Sequence, residues 1–516
     1  MYAQEIVCAL ILAALLLLLA RRRIDPLRRI PAVGLSAPIL SYWDALKFSV
    51  HAREMLQEGY TKYRGSVFRV PLMDRWLVVV SGAAMNEELR KLPDDQMSFL
   101  DAAEDLLQAK YTIAMDILRN PIHIPVIRGP FTRNLAAFLP DVADEIASAV
   151  QEAVPDAGDD WVGVVASPAM ARVVCRASNR VFVGLPMCRN PEFLEIVLNY
   201  TKDVGKSRFI MALTPILFKP IVGSLLPWSK NTLKKIAVLV GPLVDETFRQ
   251  FEDHGKKWED RPKNLLTWLT EEAKAAGHGP ETVISALLSS NFTAIHTSAI
   301  SVTHALYHIA ACPEFIPPLR KEIEVAVNKH GWGKQAIGEM WKLDSFMRES
   351  QRVNGTSGVS VMRKALVDLR LADGTVIPAG TLLCAAADAT HCDDENYEDA
   401  GVFRPFRFSD MSASEESERI KHQFVSTSPE YVPFGHGKHA WYVVHASQEF
   451  SLNMKHSPGR FFVGNELKMI IAYLVLNYDM KFEDDGPRPP NKWLSVTVIP
   501  DPNAKVYFRK RQTGSV

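Results

Sequence analysis

Three groups of residues have types and spacings that could do chemistry. The first is Phe434-Gly435-His436-Gly437-Lys438-His439-Ala440, where glycines alternate with polar residues after Pro433. That pattern describes a tight loop whose backbone can approach a ligand closely. The second is Glu349 and Arg352, three apart in a helical stretch and so on one face, with Arg407 following in Phe403-Arg404-Pro405-Phe406-Arg407-Phe408. Taken alone, a Glu-x-x-Arg pair is a surface salt bridge worth roughly a few tenths of a kcal/mol. The third is a run of hydroxyl, amide and imidazole groups: Ser289, Asn291, Thr293, His296, Thr297 and Ser298. Hydroxyls inside a helix commonly bond back to the carbonyl four residues earlier, so this run has a plain structural reading beside a catalytic one.

The third group needs a long helix to carry it. Pro280 sits at a first-turn position after Gly279, a helical pattern runs from Glu281 to Cys312, and Pro313 stops it. About thirty residues at 1.5 Å each give roughly 45 Å, enough to cross a whole domain. From Asp44 to Arg352 the pattern is mostly helical, while β-branched runs stand at Ser66 to Val70, Trp76 to Val80 and Trp493 to Ile499. Lys505 to Arg509 reads as the last strand, after a turn cluster at Gly486 to Pro490. The mix predicts an α+β fold, mainly α, with small sheets. There is no internal repeat.

Bulk properties narrow the function classes. At 516 residues and 47% hydrophobic content the chain can bury a large core. Lys plus Arg equals Asp plus Glu at 59 each, which excludes a net field of the kind that attracts nucleic acid and favours a small neutral ligand. The six cysteines are widely spaced, with no CxxC pair, as in a reducing environment.

Ile6 to Ala20 is an uninterrupted apolar run of fifteen residues, followed at once by Arg21, Arg22 and Arg23. The charges come after the run, opposite to a cleaved secretory signal. The run is short against the roughly 17 to 25 residues of a spanning helix, but a thin endoplasmic reticulum bilayer and snorkelling arginines ease the mismatch. The expectation is a single-pass anchor over residues 1–24 with the rest facing the cytosol; an interfacial helix is the other reading. Pro26 and Pro31 make residues 25–40 a stiff link to a catalytic unit over 41–516.

In order and content these motifs resemble the cytochrome P-450 superfamily, from the anchor to the final strands, and the chain looks like a fungal membrane-bound haem-thiolate monooxygenase. The resemblance implies haem b held by a cysteine thiolate, electrons from NADPH through an NADPH-cytochrome reductase, O2, and a small apolar substrate, with no nucleic acid. Ala294-Ile295-His296-Thr297 matches the family's oxygen-side helix, giving Ala294, His296 and Thr297 catalytic roles. His296 departs from the acidic residue frequent before that threonine. Glu349, Arg352 and Arg407 match a buried structural triad. His123 and Arg128, Arg363 and His439 match haem-propionate partners, although the tryptophan common near the first pair is absent. Phe434, Gly437 and Gly459 match the haem loop.

That loop reads Phe-Gly-x-Gly-x-His/Arg-x-Cys-x-Gly in the family, yet Trp441 stands where the cysteine belongs, and the pattern resumes only at Pro458-Gly459-Arg460. Seventeen residues, Trp441 to Ser457, intervene. Trp is encoded only by TGG, and splitting that codon after TG leaves G-TAY-GT, an intron donor. His456 followed by an AGT or AGC codon for Ser457 ends in pyrimidine-AG, an acceptor, and joining TG to the remaining T or C restores a cysteine codon. The expectation is a retained intron over 441–457. Without the thiolate, His436, His439 and His445 are alternative ligands, or the chain is a catalytically inactive relative; a haem-thiolate isomerase or lyase is a further alternative. The motifs also resemble those of fungal members that oxidise terpenoids and other secondary metabolites.

Overall fold

The computed structural model describes residues 26–35, 40–113, 121–214, 218–255, 258–411, 416–437 and 459–512. The apolar run and arginines of residues 1–24, His439, and the 441–457 segment lie outside the described residues.

The longest helix spans Pro280–Ala311. Its apolar and small residues cover every face, because helices pack all round it: Ala166–Phe182, Pro191–Leu213, Trp228–His254, Leu265–Ala275, Trp341–Val353 and Gly459–Asn477. It is long and apolar enough to cross a bilayer, but it is mostly buried inside the protein and is a core helix. Pro280 at its first turn and Pro313 beyond its end bound it as the sequence predicts.

A five-stranded sheet flanks the helices. Its order is β1 (Val67–Pro71), β2 (Trp76–Val80), β5 (Leu382–Ala386), β4 (Val359–Ala365) and β3 (Met97–Ser98). β2 and β5 run parallel and the other neighbours antiparallel. β4 carries a register shift between Ser360 and Arg363, and Val361 inside it has φ 51°. A β-branched residue in the left-handed region is strained, and the bulge re-aims the side chains that follow it. Arg363 is the first of these back in register.

One expectation is sharpened and another needs correction. The stiff link docks on the sheet at residues 30–33: the Arg69 backbone N–H donates to the Pro31 carbonyl at 2.8 Å, that of Val33 donates to the Arg69 carbonyl at 3.0 Å, and Ile30 and Val33 are buried. Pro31 lacks a donor but still offers its carbonyl, so it suits the edge of a sheet. Trp493 to Ile499 is a hairpin, not one strand: Lys492–Leu494 pairs with Thr497–Ile499 across a turn in which Ser495 has φ 52°. Alternation alone does not reveal a turn without glycine or proline.

The final helix holds an uncommon core group. Glu466 is fully buried, accepts from Ser178 Oγ at 2.7 Å, and its Oε2 has no partner among the described residues. Burial pushes its carboxyl up to about 8 from an ordinary 4.5. The folded chain therefore holds this proton more tightly than the unfolded chain does. Its contribution is full below about 4.5 and is lost as pH rises through about 8. Glu466→Gln is expected to flatten the fall in urea-unfolding stability between pH 5 and pH 8; an unchanged slope in the variant would disprove the assignment.

Candidate functional site

The middle of the Pro280–Ala311 helix opens onto a small apolar pocket. Ser290, Thr293 and Ala294 line it from that helix, Ile127 and Phe131 from the turn after His123–Val126, and Gly459, Phe462 and Val463 from the last helix. Phe131 meets the Phe462 ring edge-on at 5.3 Å, closing that end with aromatic surface. Ala294 and Gly459 thus come together although they are far apart in sequence.

Two of the four hydroxyls in the polar run take their structural option, while Ser298 Oγ is buried without a partner among the described residues. Thr293 Oγ1 donates to the Ser289 carbonyl at 3.0 Å and Thr297 Oγ1 to the Thr293 carbonyl at 3.2 Å. Asn291 accepts from Asn179 Nδ2 at 2.7 Å and ties two helices together. His296 differs. Its ring is hydrogen-bonded with the Leu198 backbone, its Nε2 is buried without a partner among the described residues, and burial pushes it down to about 4. The imidazole is neutral at physiological pH.

His123 is fully buried with both ring nitrogens unpartnered among the described residues, and desolvation pushes it down to about 4. Arg128 follows in the π turn Ile127–Phe131. Arg363 is buried, donates to the Met362 carbonyl at 2.7 Å and lies 5.7 Å from the Phe99 ring centre. Arg460, which the motif reading passed over, is buried with Nε and Nη1 unpartnered among the described residues, and desolvation pushes it down to about 10. Its only sequence signal is its place directly after Gly459. Native interiors rarely leave such groups unsatisfied. The orphaned His123 and Arg460 fit the presence of an anionic group such as a haem propionate.

The triad assembles. Glu349 faces Arg352 in a two-pronged pair, Oε1 to Nη2 at 2.7 Å and Oε2 to Nε at 2.8 Å, with both side chains wholly buried. Arg407 Nε reaches Glu349 Oε1 at 3.2 Å, and the Arg404 N–H donates to the same oxygen at 3.0 Å. The surface-pair reading of Glu-x-x-Arg is therefore replaced by an interior one. The arginines spend their other donors on loop carbonyls: Arg352 on His391 and Ala400, Arg407 on Glu398.

Phe434 is buried edge-on to Phe424 at 5.4 Å. Gly437 has φ 74°, and a Cβ there would stand 2.3 Å from Arg90 Cγ, so only glycine fits. His436 sits 3.3 Å from both Glu87 Oε2 and Thr427 Oγ1. Those contacts fit its reading as a loop residue better than that of a substitute metal ligand. Ser360, unflagged in the sequence, joins loop to sheet: its hydroxyl donates to the Val432 carbonyl at 2.5 Å and accepts from the Gly435 N–H at 3.2 Å.

The axial ligand is where the fit fails. Cys175, Cys188, Cys312, Cys384 and Cys392 are free thiols, and none lines the cavity. Burial pushes Cys188 and Cys392 up to about 11 and Cys175 and Cys384 higher, so none is a ready thiolate. Cys8 precedes the described residues. The orphaned His123 and Arg460 suit the anionic edge of a haem; the cysteine that would hold its iron is absent between Ala440 and Pro458.

Two measurements probe the frame. Glu349→Gln strands Arg352 and Arg407 in the interior and is expected to cost about 3–5 kcal/mol in urea unfolding of the full chain. His123→Phe removes an orphaned polar ring and is expected to stabilise the haem-free chain by roughly 1–3 kcal/mol, while weakening haem uptake in a titration. Loss of stability without any change in uptake would remove His123 from the haem frame.

A family model described as Cytochrome P450 matches residues 31–440. The chain is 55% identical to Cytochrome P450 monooxygenase 103 of Postia placenta over 506 residues, covering 98% of this chain and 97% of the relative. It is 29% identical to Ent-kaurene oxidase P450-4 of Gibberella fujikuroi, covering 94% and 93%. Among solved structures it resembles the retinoic acid bound cyanobacterial CYP120A1 with a TM-score of 0.64 at 16% identity, over 93% of this chain and 98% of that one. With the family model spanning most of the sequence, the chain belongs to the cytochrome P450 family and is related to its fungal monooxygenases.

Proposed function

We propose that the gene encodes a haem-thiolate monooxygenase that oxidises an apolar terpenoid or related secondary metabolite, anchored in the endoplasmic reticulum by residues 1–24 and reduced by an NADPH-dependent partner. The observation that carries this reading is the apolar cavity against Ala294, walled by Phe131, Phe182 and Phe462. Such a wall suits a hydrocarbon skeleton. The relative named for the oxidation of ent-kaurene, a terpenoid, supports the substrate class. A thiolate-bound haem supplies O2 activation when present. The chain's own contribution is to seat it through His123, Arg128 and Arg363 and to exclude water with the aromatic wall. Thr297 and the neutral His296 stand on the long helix as the nearby proton-handling groups.

Residues 441–457 are a retained intron in this reading. The family match ends at residue 440, one residue before Trp441, and that supports it. The chain as written then lacks the ligand that the spliced message would supply. Expressed as written, it is expected to give no red-shifted Soret band in a reduced carbon monoxide difference spectrum. The form in which a single cysteine replaces Trp441 to Ser457 is expected to give one. Spliced cDNA that encodes all seventeen residues in every clone would defeat the intron reading, and a spectrum without the shift from the shortened form would defeat the haem-thiolate reading.

A further inference from the structure

The interrupted haem loop has two ends, and one carboxylate holds both. The chain enters the loop through the segment from Gln423 to Phe434 and leaves it in the Gly459–Asn477 helix. Asp344, in the first turn of the Trp341–Val353 helix, accepts from the Phe424 N–H through Oδ2 at 2.6 Å and from Lys468 Nζ through Oδ1 at 2.9 Å. Lys468 also donates to the Ile337 carbonyl at 2.8 Å. Both side chains are largely covered, so salt screens their attraction little. The Glu349 carboxylate on the same helix does a separate job, fastening residues between His391 and Arg407 through its two arginines.

The two ends also touch. Gly464 lies one turn before Lys468 on the same face of the final helix. A Cβ there would stand 2.4 Å from Val425 Cγ1 and 3.7 Å from Phe424 Cδ1, so the helix lies flush on the Phe424–Val425 turn. From this joint each end reaches the haem frame by a short path. On the entering side Phe424 packs edge-on against Phe434, where the loop begins, at 5.4 Å. On the leaving side Phe462 and Val463 line the pocket directly before Gly464, and the helix opens with Gly459 and the orphaned Arg460. Because both ends are fastened to one side chain, their separation does not depend on how many residues join them.

We propose that Asp344, acting with Lys468, is a positioning residue that clamps the two ends of the haem loop at a fixed separation and so sets where a ligand carried between them meets the iron. The clamp is a property of the chain as written; its effect on the ligand rests on the haem-thiolate reading of the shortened form.

The first arm of the test is hydrogen exchange read by mass spectrometry on the full haem-free chain. Asp344→Asn and Lys468→Met are each expected to speed exchange on the order of tenfold at Phe424 to Phe434 and at Gly459 to Lys468 together, and to leave His391 to Arg407 unchanged. The double variant is expected to match the faster single one, because the pair acts as a unit, and Lys468→Arg to keep exchange slow. The second arm uses the shortened form with its single cysteine. There the same two substitutions are expected to keep haem uptake in a titration but to lose much of the red-shifted Soret band in the reduced carbon monoxide difference spectrum, with Lys468→Arg retaining it. Faster exchange at one end alone, equal acceleration at His391 to Arg407, or an undiminished red-shifted band in both variants overturns the clamp. Absence of that band from the unsubstituted shortened form defeats the haem-thiolate reading and the ligand-placing role with it, and the exchange arm then decides the clamp in the chain as written.

Discussion

The Glu349 carboxylate is the constraint on which the rest of the site depends. It is wholly buried, and a carboxylate in that position is tolerable only because two arginines and a backbone N–H occupy its oxygens. The same arginines are then committed to carbonyls between His391 and Val402, so the charge balance of one side chain dictates the path of a loop with no regular structure. One turn earlier, Arg348 donates to the Gln423 and Ser426 carbonyls and lies between the rings of Phe408 and Tyr431. The Trp341–Val353 helix thus sets both the approach to the Phe434–Gly437 loop and the segment behind it.

Around this ionic frame the interior separates into satisfied and unsatisfied polar groups. Ser290, Thr293, Thr297 and Thr303 on the long helix donate back to their own backbone. His123, His296 and Arg460 are different, because each keeps a nitrogen out of water without a partner among the described residues. Leaving such groups bare costs stability, and proteins keep that cost where a ligand repays it. The strained Val361 before Arg363 belongs to the same pattern, a backbone distortion beside a residue proposed to hold the cofactor.

Much of this was legible in the sequence, and the limits have physical causes. The long helix, its proline boundaries and the Glu-x-x-Arg spacing are local patterns, and local patterns survive in a one-dimensional reading. What a spacing does not carry is depth: the same three-residue interval describes a surface pair and the buried Glu349–Arg352 fork. Ser360 and Glu87 escaped because their importance lies in partners distant along the chain, and Arg460 because its burial is not written in its spacing. The docking of residues 30–33 escaped for a related reason. Proline announces stiffness, but whether a stiff segment hangs free or docks on β1 depends on the empty edge beside it.

Net charge was the least informative number, and the reason is one of length scale. A chain with 59 charges of each sign has no long-range field, which properly argues against nucleic acid. Exposed charges interact over roughly 8–10 Å at ordinary ionic strength, however, and covered ones are screened still less. What a bound ligand feels is therefore the balance of a few neighbours. Around Asp74 and Asp105, among the described residues, Arg75, Lys219 and Lys364 set three cations against two carboxylates, although the whole molecule is neutral. The sum over the sequence cannot register such a local surplus, because equal and opposite charges elsewhere cancel it on paper while lying too far away to cancel it in the fold.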